Sequence, residues 1–146
     1  MSSISWRLFW RINSVIIALV ITVGSLVPDP EAMGAPMSWS KWIASLLFGD
    51  PMSGDKVSHF LAYGALAFFS TLGFVSRLKH LLILFIGLLL YGGLMEGLQA
   101  LGGVRSSDAL DLVANALGAL SGIIGALFMR ALFDHFSIHL RTPIVR

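Results

Sequence analysis

Residues 92–115 read Gly-Gly-Leu-Met-Glu-Gly-Leu-Gln-Ala-Leu-Gly-Gly-Val-Arg-Ser-Ser-Asp-Ala-Leu-Asp-Leu-Val-Ala-Asn, and they join two long apolar segments. In a chain that is 56% hydrophobic and 12% charged, this stretch gathers Glu96, Gln99, Arg105, Asp108, Asp111 and Asn115. Soluble domains carry about 25% charged residues. The deficit, with a mean hydropathy of +0.83, puts the chain in the membrane class. Ionisable groups at membrane depth are expensive, and by default they mark function. The stretch therefore reads as the end of one span, a tight turn at 102–107, and the start of the next.

Outward from that hairpin, the same reading predicts an all-α integral membrane four-helix bundle, a single domain over residues 1–146. The spans fall at about 8–27, 56–75, 81–101 and 108–133. Twenty helical residues cover about 30 Å, the thickness of the bilayer hydrocarbon. Arg7 and Arg11 among Trp6, Phe9 and Trp10 form an interfacial anchor before the first span, which Asn13, Thr22 and Ser25 interrupt. A secretory signal peptide cut near Val23-Gly24-Ser25 is the competing reading; the long run and three further spans argue for a retained helix. Pro28-Asp29-Pro30 ends the run, because proline cannot donate and disfavours helix in its predecessor. Within the long connection that follows, Trp39, Trp42, Ile43, Leu46 and Leu47 lie opposite Ser38, Lys41 and Ser45. That predicts a short interfacial amphipathic helix over about 37–48, serving as a cap on the bundle or a gate to it. Arg77, Lys79 and His80 make the short link before the third span.

Basic residues set the expected orientation. Arg7, Arg11, Arg77, Lys79, Arg130, Arg141 and Arg146 fall on one side, against Lys41, Lys56 and Arg105 on the other. By the positive-inside rule both termini are cytoplasmic and the polar end of the bundle faces outward from the inner membrane. The charges flank apolar runs and form no basic stripe, so nucleic-acid binding is excluded. Zero cysteines exclude disulfides, thiolate metal sites and a cysteine nucleophile.

Three helices each carry a polar face to that end. Asp108, Asp111 and Asn115 stand at i, i+3, i+7, within an arc of about 60°. Gly92, Glu96, Gln99 and Gly103 form a similar stripe, with Glu96 about 7.5 Å inside its helix end. Asp55, His59 and Tyr63 follow i, i+4, i+8, with Lys56 on the adjoining flank and Arg105 on the turn above. Plain structural readings accompany these. Asp108 and Asp55 suit N-caps with Asp111 in the first turn, Lys56 suits a snorkelling lysine, and His59 suits a satisfied interior histidine. Glu96 needs a partner such as Arg105, His59 or Lys56, or a water-filled pocket. Ala114, Gly118, Gly122 and Ala126 make a small-residue stripe for close helix packing, and the Gly118–Gly122 pair offers a homo-oligomer contact.

Glu96, Asp108, Asp111 and His59 supply donors that a divalent metal accepts, although the spacing matches no closed metal motif and no cofactor is required. Glu96, Asp111 and His59 equally suit acid–base catalysis, and Arg105 with Lys56 suits an anionic head group.

The sequence Asp55-Lys56-Val57-Ser58-His59-Phe60-Leu61-Ala62-Tyr63 resembles the Asp-Lys-x-x-His-x-x-x-Tyr signature of VanZ-like membrane proteins. Glu96-Gly97-Leu98-Gln99, followed by Arg105, Asp108, Asp111, Asn115 and Gly118 at their spacings, resembles the second half of that family. The likeness covers about Asp55 to Gly125. It implies a small bacterial cytoplasmic-membrane protein, some of whose relatives are linked to resistance to glycopeptides such as teicoplanin. It also implies a ligand site at Asp55, Lys56, His59, Tyr63, Glu96, Gln99, Arg105, Asp108, Asp111 and Asn115. Three readings stay open: a pocket binding a membrane lipid or lipid-linked envelope component, a membrane-embedded hydrolase or transferase, and a cluster that only holds helix ends together.

Overall fold

A computed structural model describes residues 3–27, 38–75, 77–103 and 108–141, with side chains over 6–27, 38–75, 77–103 and 108–136. Among the described residues there are five α-helices and no strand: α1 Ser3–Leu26, α2 Trp39–Phe48, α3 Gly54–Phe74, α4 Lys79–Leu101 and α5 Ala109–Arg141. All but α2, with α3 extended by the single 3-10 turn Pro51–Ser53 before it, are long and apolar enough to cross a membrane, over Trp6–Leu26, Pro51–Phe74, Lys79–Leu101 and Ala109–Phe136. They run up and down in chain order, so the end of α1 and the starts of α3 and α5 share one pole with the end of α4.

The hairpin of α3 against α5 is the frame of the bundle. Gly118 packs so closely on α3 that a Cβ there would collide with the Phe60 carbonyl oxygen; one at Gly122 would strike that of Gly64. Ala119 and Ala126 are fully buried, with Ala114 beside them at 8% exposure. The small-residue stripe is therefore used inside the chain, backbone to backbone. A second copy could reach it only by displacing α3, so any homo-oligomer needs another surface.

Polar pairs hold α1 and α4 to this frame. Ser14 and Ser70 hydroxyls meet at 2.6 Å, and Thr22 meets the Tyr91 hydroxyl at 2.7 Å while Tyr91 donates to the Ala18 carbonyl. At the pole away from the polar cluster, Arg11 donates to the Gly73 carbonyl, and Arg130 donates to those of Thr71 and Val75. The guanidinium groups thus satisfy the Gly73 and Val75 carbonyls at the end of α3, and Arg130 adds a second donor to the Thr71 carbonyl, which already accepts the Val75 N–H.

The surface is apolar: Leu19, Val23, Ile83, Leu90, Leu117, Ile124 and Phe128 are exposed, while Ser14, Ser70, Glu96, Gln99, Asp111 and Asn115 are buried. Water would make such a surface a liability, whereas lipid makes it the expected exterior. The chain is a small multi-pass membrane protein.

Helix ends depart from expectation more than helix positions do. The fourth span was predicted to stop near 133, yet α5 continues to Arg141. Hydropathy marks where lipid ends; a helix ends where something breaks it, and no glycine or proline occurs between Phe133 and Pro143. The amphipathic helix predicted over 37–48 is α2, started by the Ser38 hydroxyl accepting from the Lys41 N–H and stopped by Gly49 at φ 69°. Its buried face is Ser40 and Ala44, while Trp39, Trp42, Leu46, Leu47 and Phe48 point outward. The aromatic stripe faces away from the bundle, as an interfacial helix requires.

Candidate functional site

The polar end is built in two tiers from α3, α4 and α5. In the upper tier the Lys56 ammonium donates to Asp55 Oδ2 at 2.7 Å and lies 2.6 Å from Asp108 Oδ2 and 3.4 Å from Asp111 Oδ1. Asp108 also caps α5, its Oδ1 accepting the Leu110 N–H at 2.9 Å. Capping and ion pairing coexist, one oxygen to each. Lys56 and the Leu110 N–H hold the Asp108 carboxyl below its usual range. Asp55, expected as a cap, lies inside the first turn because α3 already starts at Gly54; its Oδ1 accepts the Lys56 N–H. Lys56 is neither a snorkelling lysine nor an open anion receptor, since its ammonium is shared by three carboxylates.

The lower tier is buried. His59 Nδ1 lies 3.0 Å from Asn115 Oδ1. An amide oxygen carries no hydrogen, so Nδ1–H is the donor. In the neutral ring this leaves the Nε2 lone pair directed toward Asp111 Oδ2 at 3.7 Å and Glu96 Oε1 at 3.9 Å. Both separations exceed hydrogen-bond length. Glu96 is 8% exposed, Asp111 6%, and Tyr63 and Asn115 1% each. Both Glu96 oxygens, Asp111 Oδ1, Asn115 Nδ2 and Tyr63 Oη are buried with no hydrogen-bond partner among the described residues. Gly92 makes the room: a Cβ there would lie 2.8 Å from Asn115 Nδ2 and 3.3 Å from Tyr63 Oη.

Beside this cluster a cavity of about 310 Å³ opens between α1, α2 and α3. Val20, Ile21, Gly24 and Ala62 line it together with Lys41, Asp55, His59, Tyr63 and Gln99. Nine of the ten expected site residues are therefore gathered at one pole: Asp55, Lys56, His59 and Tyr63 on α3, Glu96 and Gln99 on α4, Asp111 and Asn115 on α5, with Asp108 at its cap. Arg105, expected as a roof, lies outside the described residues. Sequence reasoning missed Lys41 and the contribution of α1. The faint signals were the placement of Lys41 on the polar side of the amphipathic helix and the small pair Gly24-Ser25 near the end of an otherwise bulky span.

Among the described residues the cluster holds four carboxylates against one ammonium and one imidazole. The described part of the cluster is acidic, and its chemistry favours cations, proton transfer and neutral hydrogen-bonding groups. Comparison with protein-family models, with curated proteins and with solved structures finds no match. Fold and site define the class: a multi-pass membrane protein with an acidic cluster enclosed by three helices at one pole.

Proposed function

We propose that this protein binds the polar head of a membrane amphiphile in the cavity between α1, α2 and α3. One observation carries the reading: Val20, Ile21 and Ala62 share a single space with Lys41, His59 and Gln99. Such a two-natured cavity suits a molecule with an acyl or isoprenoid tail and a hydrogen-bonding head. The motif resemblance to VanZ-like proteins extends the proposal. The protein sits in a bacterial inner membrane with both termini cytoplasmic, as the distribution of basic residues supports. Its ligand is a lipid or lipid-linked glycopolymer of the cell envelope, and binding it changes susceptibility to teicoplanin-type glycopeptides.

Native mass spectrometry of the protein released from lipid nanodiscs tests this. Wild-type protein should retain a defined lipid that is depleted at least tenfold in both Val20→Trp, which fills the apolar side, and Gln99→Ala, which empties the polar side. Equal lipid content in all three proteins sinks the reading.

A second reading, a hydrolase or transferase acting on that lipid, is favoured by the Asn115 contact that fixes the His59 tautomer and directs Nε2 at two carboxylates. In that case Glu96→Gln and Asp111→Asn keep the lipid and lose its turnover.

A further inference from the structure

We propose that His59, Glu96 and Asp111 form a binding site for one divalent transition-metal ion, with Asn115 as the residue that positions the imidazole. A cluster of carboxylates alone is poor grounds for a metal. Here the grounds are the burial of Glu96 without a side-chain partner and the gathering of three donors around one point.

Glu96 is the first such observation. It is 8% exposed, and neither carboxylate oxygen has a side-chain hydrogen-bond partner among the described residues, the neutral Asp108 backbone N–H being the donor near it. A buried carboxylate in that condition is costly unless a cation meets it or it takes up a proton. Among the described residues the basic atom near it is His59 Nε2 at 3.9 Å. Nδ1–H is committed to the Asn115 oxygen, so in the neutral ring Nε2 presents a lone pair to oxygens that also present lone pairs. Acceptors facing acceptors at 3.7 and 3.9 Å is an arrangement that a shared cation relieves.

Donor geometry is the second. Candidate ligand atoms of the three residues lie within 4.8 Å of one another. Bond lengths of about 2.1 Å in a tetrahedral site put ligands about 3.4 Å apart. The two separations from His59 Nε2, 3.7 and 3.9 Å, need to close by only a few tenths of an ångström, and the carboxylate pair by up to about 1.4 Å. The imidazole is also prepared as metal-bound histidines are, with the far ring nitrogen anchored to an oxygen that fixes tautomer and orientation.

Charge selects the ion. Two carboxylates and a neutral imidazole sum to minus two, so a divalent ion leaves the buried group neutral while a monovalent ion does not. One nitrogen with two oxygens suits zinc, manganese or ferrous iron better than calcium or magnesium, which prefer all-oxygen shells. Lys56 does not substitute for the ion. It lies 3.4 Å from Asp111, shared with Asp55 and Asp108, and no ion pair joins it to Glu96 among the described residues. Three protein ligands leave a coordination position open, and His59 also lines the cavity. As an account of what the ion serves, coordination of a headgroup oxygen, this rests on the amphiphile reading above; binding of the ion does not.

The test uses full-length protein in detergent, stripped with chelator and titrated with Zn²⁺, with Co²⁺ as a coloured probe, followed by desalting and elemental analysis. Wild-type protein should hold one equivalent and give the visible bands of low-symmetry Co²⁺. Glu96→Gln and Asp111→Asn, each nearly isosteric, should weaken binding at least a hundredfold, and Asn115→Ala by about tenfold, the range for outer-shell partners. Asp50→Asn, on the exposed turn before α3, should bind as wild type does. Thermal unfolding without metal establishes that each variant is folded; should one fail, His59→Gln replaces it. Less than a tenth of an equivalent in folded wild-type protein, or equal affinity in the carboxamide variants, overturns the inference. Lipid retention by chelated protein is scored separately: lipid without metal leaves the amphiphile reading standing and removes this one, and metal without lipid does the reverse.

Discussion

Lys56 shows how one side chain can settle several others. Its ammonium lies within 3.4 Å of Asp55, Asp108 and Asp111 and so ties the first turns of α3 and α5 together. Lys56→Met leaves partly buried carboxylates facing each other and should lower stability by about 2 kcal/mol in detergent unfolding, less than for a fully buried pair because Lys56 is part-exposed. The effect has a definite pH sense. The folded-state pKa of Asp108 is lowered from its ordinary 3.8, so its contribution is present above that pH and is lost as pH falls through the lower folded value. The stability difference between wild type and Lys56→Met should therefore narrow as pH falls through that range; a difference independent of pH would refute the role given to this pair. Site membership was legible at this scale, because costly residue types at helical spacing are visible in a string of letters. Pairing was not. Nothing in the sequence tells that Asn115 accepts from His59, or that Lys56 is spent on three acids, since both depend on helix rotation about axes that the pattern leaves free.

Among the elements, α3 and α5 make the contact on which everything else is hung. The prediction that belongs here is steric. Gly122→Leu places a side chain where the Gly64 carbonyl lies and should destabilise the protein by about 3 kcal/mol, within the range for overpacked cores. Gly93→Leu, at a position on α4 with nothing nearby, should be nearly silent. Similar melting temperatures for the two variants would contradict the packing. Hydropathy located all four spans, the prolines after 27 located the end of α1 and the amphipathic pattern located α2, but not the start of α1 or the end of α5, because hydropathy reports solvent and helix ends report caps and breakers. The glycine stripe was legible as a packing surface, while its partner was not: a small-residue face is equally suited to a neighbouring helix and to another copy.

At the scale of the whole molecule, apolar side chains outside and polar groups within give a polarity suited to lipid. Its two poles differ in charge: Arg7, Arg11, Arg77, Lys79 and Arg130 gather at the one opposite the cluster. Because the chain has no cysteine, single introduced thiols read topology without background. Met52→Cys beside the cluster and Leu78→Cys at the far pole replace residues that are 75% and 79% exposed. An impermeant maleimide should label the first in intact cells and leave the second until the cells are opened, and the reverse would turn the site to the cytoplasm.

The glycine lock between α3 and α5 has one more consequence. His59 and Asp111 belong to helices fastened backbone to backbone, whereas Glu96 belongs to α4, whose glycines Gly93 and Gly97 meet nothing within 4 Å. The acidic cluster thus straddles a seam between a pair locked backbone to backbone and a helix held to it through side chains, by Tyr91 and by the packing at Gly92. Whatever bridges Glu96 to the other two draws α4 inward, and whatever draws α4 inward tightens the bridge by the same free energy. Occupancy of the cluster and the packing of α4 against α3 and α5 thus become two readings of one variable.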